Sequence, residues 1–381
     1  MKKTLTTTAL ASLALLSLTS AALAEIKLGA SISATGPAAF LGDPEAKTLE
    51  MLVEELNAKG GINGEQIELV LYDDGGDPNK ARTFATRLVE DDGVAAIIGG
   101  TTTGTSMSIL AIAEDAEVPF ISLAGAIDII DPVKPFTFKT PHTDRMACQK
   151  IFEDMQKRGF TKIGMISGTD GFGASMQAQC KSVVADYGIE IIADETYDPK
   201  DADITAQLTK IKNAEGVQAV LNPGFGQGPS IVTRNFKQLE VGLPFYQSHG
   251  VASDGFIELA GSDAAEGVRL PGTALLVADL LAEDDVQKPV VTAYKTAFEA
   301  KTGTPVSTFG GYAHDAFLIM TDAITRAGSA EPAAIRDAIE ATSGLAGTTG
   351  VYTFSASDHL GLDLSAFRML EIKNGTWALV E

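Results

Sequence analysis

The chain has 381 residues, 45% of them hydrophobic and 21% charged, the composition of a folded protein and not of a disordered one. At roughly 150 residues per domain, this length points to two domains. The 50 Asp and Glu against 29 Lys and Arg leave a formal net charge of -21, which excludes a nucleic-acid binder and disfavours anionic membrane surfaces, since both need clustered cations.

The N-terminus carries Lys2 and Lys3, an apolar run over 9–18, and Ala22-Leu23-Ala24 just before Glu25. This is the layout of a secretory signal peptide, residues 1–24, cleaved after Ala24. No later apolar run approaches the roughly 20 residues that span a bilayer, and no Cys follows the cleavage point to accept a lipid. An exported protein without membrane insertion, a monomer in the periplasm, is the expectation. Export places Cys148 and Cys180 where a disulfide persists. A bridge and two buried thiols stand as alternatives, both residues falling on predicted helices beside a strand at 162–166. The histidines at 142, 249, 314 and 359 are scattered, so neither a metal site nor a cofactor is expected.

Short β-rich runs at 26–33, 67–73, 95–99 and 120–123 are each followed by helical spacing, the pattern of a mostly parallel sheet. The spacing predicts a helix over 46–59, with Leu49, Leu52, Val53 and Leu56 on one face and Gly60-Gly61 at its end. Further helices are predicted over 105–114 and 312–326. An internal repeat links the two halves. Asp92-Gly93-Val94-Ala95-Ala96-Ile97-Ile98 and Val118-Pro119-Phe120-Ile121 are echoed by Glu215-Gly216-Val217-Gln218-Ala219-Val220-Leu221 and Leu243-Pro244-Phe245-Tyr246. So long a period means domain duplication, not a solenoid. The fold class is therefore α/β, with two doubly wound parallel-sheet lobes.

Such sheets bind ligands beyond the carboxyl ends of their strands. The matched loops are 34–42, 99–104 and 122–126 in one half, and 168–174, 223–228 and 247–252 in the other. Facing each other, they enclose a cleft. Gly99-Gly100-Thr101-Thr102-Thr103-Gly104 leaves a strand and enters a helix. It lacks the Lys of a phosphate loop, so a carboxylate suits it better; plain helix capping by Thr is the alternative. Phe172 and Phe225 lie on glycine-rich loops, where they either stack on a ligand or join a core. Gly224-Phe225-Gly226-Gln227-Gly228 does not meet the dinucleotide fingerprint. No Gly-x-Ser-x-Gly, His-Glu-x-x-His or framed carboxylate pair points to an enzyme.

Taken together, Asn57-Ala58-Lys59-Gly60-Gly61-Ile62-Asn63-Gly64, Tyr72-Asp73-Asp74 with Asp77-Pro78, Ile98-Gly99 before the Thr loop, and Asp263-Ala264-Ala265-Glu266-Gly267 carry a family resemblance. The chain resembles the periplasmic substrate-binding proteins of branched-chain amino-acid-type ATP-driven importers, over essentially the whole length after the signal peptide. The resemblance implies two lobes, 25–140 plus 273–350 and 141–272 plus 351–381, joined by three crossovers near 139–141, 269–273 and 347–352. It implies a small carboxylate ligand held in the cleft by hinge closure, and a membrane permease as partner.

Carried over position by position, the resemblance puts carboxylate-binding groups at Thr102, Thr103, Ala124, Gly125 and Ala126. It puts a side-chain wall at Phe40 and Leu41, and aromatic contacts at Phe172 and Phe225. His249 stands where amino-acid binders of the family place a Glu against the ligand's α-ammonium. This departure favours an acid without an ammonium, aromatic or 2-oxo. The alternative is that Asp170, Asp254 or Asp315 takes over that charge. The same fold also serves as a ligand sensor in signalling systems.

Overall fold

The computed structural model describes residues 25–380; the expected signal peptide lies outside them. Five strands open the chain: β1 (Glu25–Ile32), β2 (Gln66–Asp73), β3 (Ala96–Gly99), β4 (Phe120–Ser122) and β5 (Thr137–Lys139). They form one all-parallel sheet in the order β2-β1-β3-β4-β5. Helices α1 (Ala39–Ala58), α2 (Pro78–Arg87) and α3 (Thr103–Asp115) connect them. In β1, Leu28, Ala30 and Ile32 are buried along with the alternate Gly29 and Ser31, as expected of a parallel strand covered on both faces.

The second lobe contributes β6 (Lys162–Gly168), β7 (Glu190–Tyr197), β8 (Ala219–Asn222), β9 (Phe245–Gln247) and β10 (Arg269–Gly272). Between them run α4 (Asp144–Lys157), α5 (Gly171–Val183), α6 (Thr205–Asn213), α7 (Gln227–Gln238), α8 (Asp254–Ala260) and α9 (Ser262–Ala265). Its parallel strands run β10-β9-β8-β6-β7, the same winding as the first lobe in mirror listing. The repeated segments occupy equivalent strands, β3 with β8 and β4 with β9, so the duplication read in the sequence is a duplication of topology. In each lobe the switch point lies between the first and third strands of its half, which is where loops part and leave a crevice.

The chain returns through α10 (Lys288–Thr302), α11 (Thr308–Ala327) and α12 (Pro332–Glu340), then a short ribbon of β11 (Leu345–Ala346) and β12 (Val351–Tyr352). The hairpin β13 (Arg368–Lys373) and β14 (Thr376–Leu379) then adds antiparallel to β10, so the second sheet is mostly but not wholly parallel. Tyr352, Phe354, Leu360, Leu362 and Ala366 join the first lobe's core, while Phe367 and Met369 join the core under α4 and α5. The third crossing therefore falls between Ala366 and Phe367 and not near 347–352. The intervening segment buries its apolar side chains on the first lobe although it carries little regular structure. The segment leading to the third crossing touches the first crossing, since Lys139 N donates to His359 O at 3.2 Å and the Tyr352 hydroxyl to Thr140 O at 3.0 Å.

Cys148 and Cys180 form a disulfide joining α4 to α5 within the second lobe's core, which decides between the two alternatives left open by the sequence.

Candidate functional site

Helix α1 starts at Ala39, earlier than its apolar spacing predicted, after a 3-10 turn over Gly36–Ala38. Gly42 permits this, because a Cβ there would strike the Ser33 carbonyl at the end of β1. The helical phase separates Phe40 from its neighbour. Leu41 faces the cleft, whereas Phe40 turns its ring edge-on to Phe309 of α11, with centroids 5.7 Å apart. Adjacent helical residues point about 100° apart, so Leu41 lines the cavity directly and Phe40 backs the wall through Phe309.

A cavity lies between the lobes. The first lobe lines it with Leu41, Thr101, Thr102, Thr103, Leu123, Ala124, Gly125, Phe309 and Tyr312; Pro141 of the first crossing joins Phe172, Phe225, His249 and Gly250 of the second lobe. Most of the predicted residues therefore meet at one place. Ala126 does not. It is buried beside the wall, and its carbonyl is turned to the Lys139 ammonium at 3.4 Å.

The three threonines divide their work. Thr101 is anchored, accepting from Ser33 N at 2.9 Å and donating to Glu45 Oε2 at 2.6 Å. Thr102 caps α3 in a reciprocal box with Thr105, so its hydroxyl is committed to the helix. Thr103 Oγ1 is buried with no partner among the described residues, at the positive end of the α3 dipole. Tyr312 contributes a second unpartnered buried hydroxyl to the wall. Such groups cost about 1–3 kcal/mol when left unmatched.

Across the cleft, Phe172 stands in the first turn of α5, edge-on to Phe225 at 6.0 Å and to His249 at 5.4 Å. Phe172 is also part of the core beneath α5, so one ring both joins a core and lines the cavity. His249 is buried; its desolvation, reinforced by the Lys139 charge, lowers its pKa to about 3. It faces the cavity as a neutral imidazole, able to donate one hydrogen bond and accept another.

Of the acids that stood as replacements for the missing Glu, Asp254 and Asp315 are engaged elsewhere and Asp170 is engaged in part. Asp170 caps α5, its Oδ1 accepting from Phe172 N and Gly173 N, while its Oδ2 is buried without a partner among the described residues. Asp254 accepts from Trp377 Nε1 at 2.7 Å. Asp315 accepts from Thr348 N, Thr349 N and the Tyr352 hydroxyl at the β11–β12 ribbon. Among the residues lining the cavity there is no carboxylate. The sequence reading missed Phe309 and Tyr312, which arrive on α11 from more than 180 residues beyond Phe120; only their placement at i and i+3 hinted at a shared face.

The periplasmic binding protein profile matches residues 25–376. The chain belongs to the periplasmic binding protein family. It is 30% identical, over 83% of its length and 82% of the relative's, to a leucine-, isoleucine-, valine-, threonine- and alanine-binding protein of Pseudomonas aeruginosa. A Leu/Ile/Val-binding protein of Rhizobium johnstonii shares 27% identity over 87% of this chain and 86% of its own. Among solved structures, an extracellular ligand-binding receptor from Rhodopseudomonas palustris superposes with a TM-score of 0.87 at 29% identity, covering 94% of this chain and all of its own. A branched-chain amino acid transporter substrate-binding protein from Streptococcus pneumoniae, solved with isoleucine, gives 0.83 at 24% over 93% and 99%; at that identity the likeness concerns the fold. Two lobes around a ligand cleft are thus the family's architecture as well as this chain's.

Proposed function

We propose that this periplasmic binding protein captures a small carboxylate in the inter-lobe cavity, closes on it about the three-strand hinge, and delivers it unchanged to the permease of an ATP-driven importer. The ligand is an acid without an α-ammonium, aromatic or 2-oxo. The observation that carries this reading is the composition of the wall: Thr103 Oγ1, the Tyr312 hydroxyl and neutral His249 offer hydrogen bonds, and Leu41, Phe172, Phe225 and Phe309 offer an apolar body, but no carboxylate is there to meet an ammonium. A buried cation without a partner costs several kcal/mol.

The printed names of the Pseudomonas and Rhizobium relatives favour a second reading, a branched-chain amino acid. A thermal-shift panel on refolded, ligand-free protein separates the two. Benzoate and 4-methyl-2-oxopentanoate form one set and Leu, Ile and Val the other. A ligand at 100 times its dissociation constant adds about 2.7 kcal/mol of stability. A shift with the acids alone supports the first reading; a shift confined to the amino acids overturns it. Ligand-stimulated transport in reconstituted membranes distinguishes an importer's carrier from a sensor.

A further inference from the structure

Lys139 ends β5 at the first crossing, and its side chain is fully buried. Its ammonium donates to Gly125 O at 3.0 Å, His142 O at 3.3 Å and Ala126 O at 3.4 Å. Three neutral carbonyls satisfy its three donors but leave its charge without a formal counterion. Asp144 of α4 acts on it through space, yet that carboxylate already accepts from Ile127 N at 3.1 Å, Arg145 N at 2.9 Å and the Ser175 hydroxyl. A buried cation is costly, and an apolar side chain of the same length fills such space without that cost. Gly125 explains its presence: the carbonyl gripped by Lys139 and by Asp144 N belongs to a residue of the cavity wall.

We propose that Lys139 supplies the positive charge against which the carboxylate ligand is held, from one peptide behind the cavity wall, and that capture of the ligand is accompanied by proton uptake on Lys139. The inference rests on the carboxylate reading above but not on the choice between an oxo acid and an amino acid. Burial lowers the Lys139 pKa to about 7, with Asp144 opposing. The other titratable groups facing it are His142 from the crossing and His249 from the second-lobe loop, with Arg368 acting on His142 from the start of β13. Burial keeps both imidazoles neutral, so above pH 6 Lys139 is the member of this cluster that changes charge. An anion in the cavity favours its protonated form. Affinity for a carboxylate is therefore highest below pH 7 and falls as pH rises through the free-state value.

Calorimetric titration of the mature protein with benzoate, 4-methyl-2-oxopentanoate and L-leucine, with benzamide as the uncharged counterpart of the first, tests this at pH 6, 7.5 and 9. Buffers of low and high ionisation enthalpy are compared. Whichever acid binds should take up a fraction of a proton at pH 7.5 and lose affinity by up to about tenfold per pH unit above 7. Lys139→Arg, charged throughout, should abolish both effects while still preferring acid to amide; Lys139→Met should shrink that preference. An acid that binds the wild type with no proton exchange and a flat affinity from pH 6 to 9 overturns the role of Lys139 and leaves the carboxylate reading standing. Benzamide binding as tightly as benzoate overturns both.

Discussion

Gly125 of the first lobe and His249 of the second face each other so closely that a Cβ on Gly125 would lie 2.9 Å from His249 Nε2, and 2.8 Å from Phe172 Cε2. The two lobes meet here, over the cavity. Gly125→Ala should therefore keep both lobes folded but obstruct their approach. The expected outcome is at least tenfold weaker binding by calorimetry, with small-angle scattering remaining that of an open form when ligand is added. Unchanged affinity would show that closure does not bring these residues together.

Thr102 and Thr103 adjoin in sequence but should fail differently. Thr103→Val removes an unpartnered hydroxyl at nearly constant shape, and a hydrogen bond to a charged group is worth about 1.5–3 kcal/mol. The loss should appear as roughly 10- to 100-fold in dissociation constant with little change in unfolding midpoint. Thr102→Val removes the cap of α3 and should lower stability by about 1 kcal/mol, measured by denaturant unfolding. Equal effects of the two on stability would contradict the division of labour.

The Cys148–Cys180 bridge spans a sequence separation of 32 residues. By loop-closure entropy, its reduction or double replacement by Ser should cost about 3 to 4 kcal/mol of second-lobe stability. Guanidinium unfolding with and without reductant measures it.

His142 is buried against Phe367, with ring centroids 3.6 Å apart and neither ring nitrogen partnered among the described residues, and burial holds its pKa well below 6.5. The unfolded chain takes up this proton as pH falls below 6.5 and the folded chain does not. Stability from this group is thus complete above 6.5 and drains at about 1.4 kcal/mol per pH unit below it. Glu45 acts in the opposite sense, since burial raises its pKa and the fold takes up the proton. The difference between wild type and His142→Phe, unfolded at pH 7, 6 and 5, cancels that contribution. The wild type should lose ground relative to the variant as pH falls; a constant difference would count against a neutral His142.

The alternation of strand and helix made the lobes legible in the sequence, and the repeat gave their equivalence because each half keeps the same strand order. Thr103, Phe172, Phe225 and His249 were legible as loop residues beyond strand ends. What escaped was set by phase and by distance. Phe40 was assigned to a loop, and the early start of α1 sets its ring behind Phe309, which takes the place in the wall. Thr102 looked as free as Thr103 until its capping box was seen. Tyr312 lies on an amphipathic helix whose buried face serves the core and the cavity alike, so periodicity does not mark it out. Lys139 reads as one more strand-end lysine; nothing in a single sequence reveals that three carbonyls enclose it. The third crossing was misplaced because residues 353–366 pack on the first lobe without a regular pattern to announce it.

On the proposed reading, the cavity holds a carboxylate whose α-carbon bears no ammonium. The most direct test of that reading is calorimetric titration of the refolded, ligand-free protein with 4-methyl-2-oxopentanoate and L-leucine, which share a carbon skeleton and differ at the α-carbon. With no acid in the wall, the oxo acid should bind at least 100-fold more tightly, a gap of about 2.7 kcal/mol. Tighter binding of leucine would contradict the account and require a carboxylate to reach the α-ammonium after all.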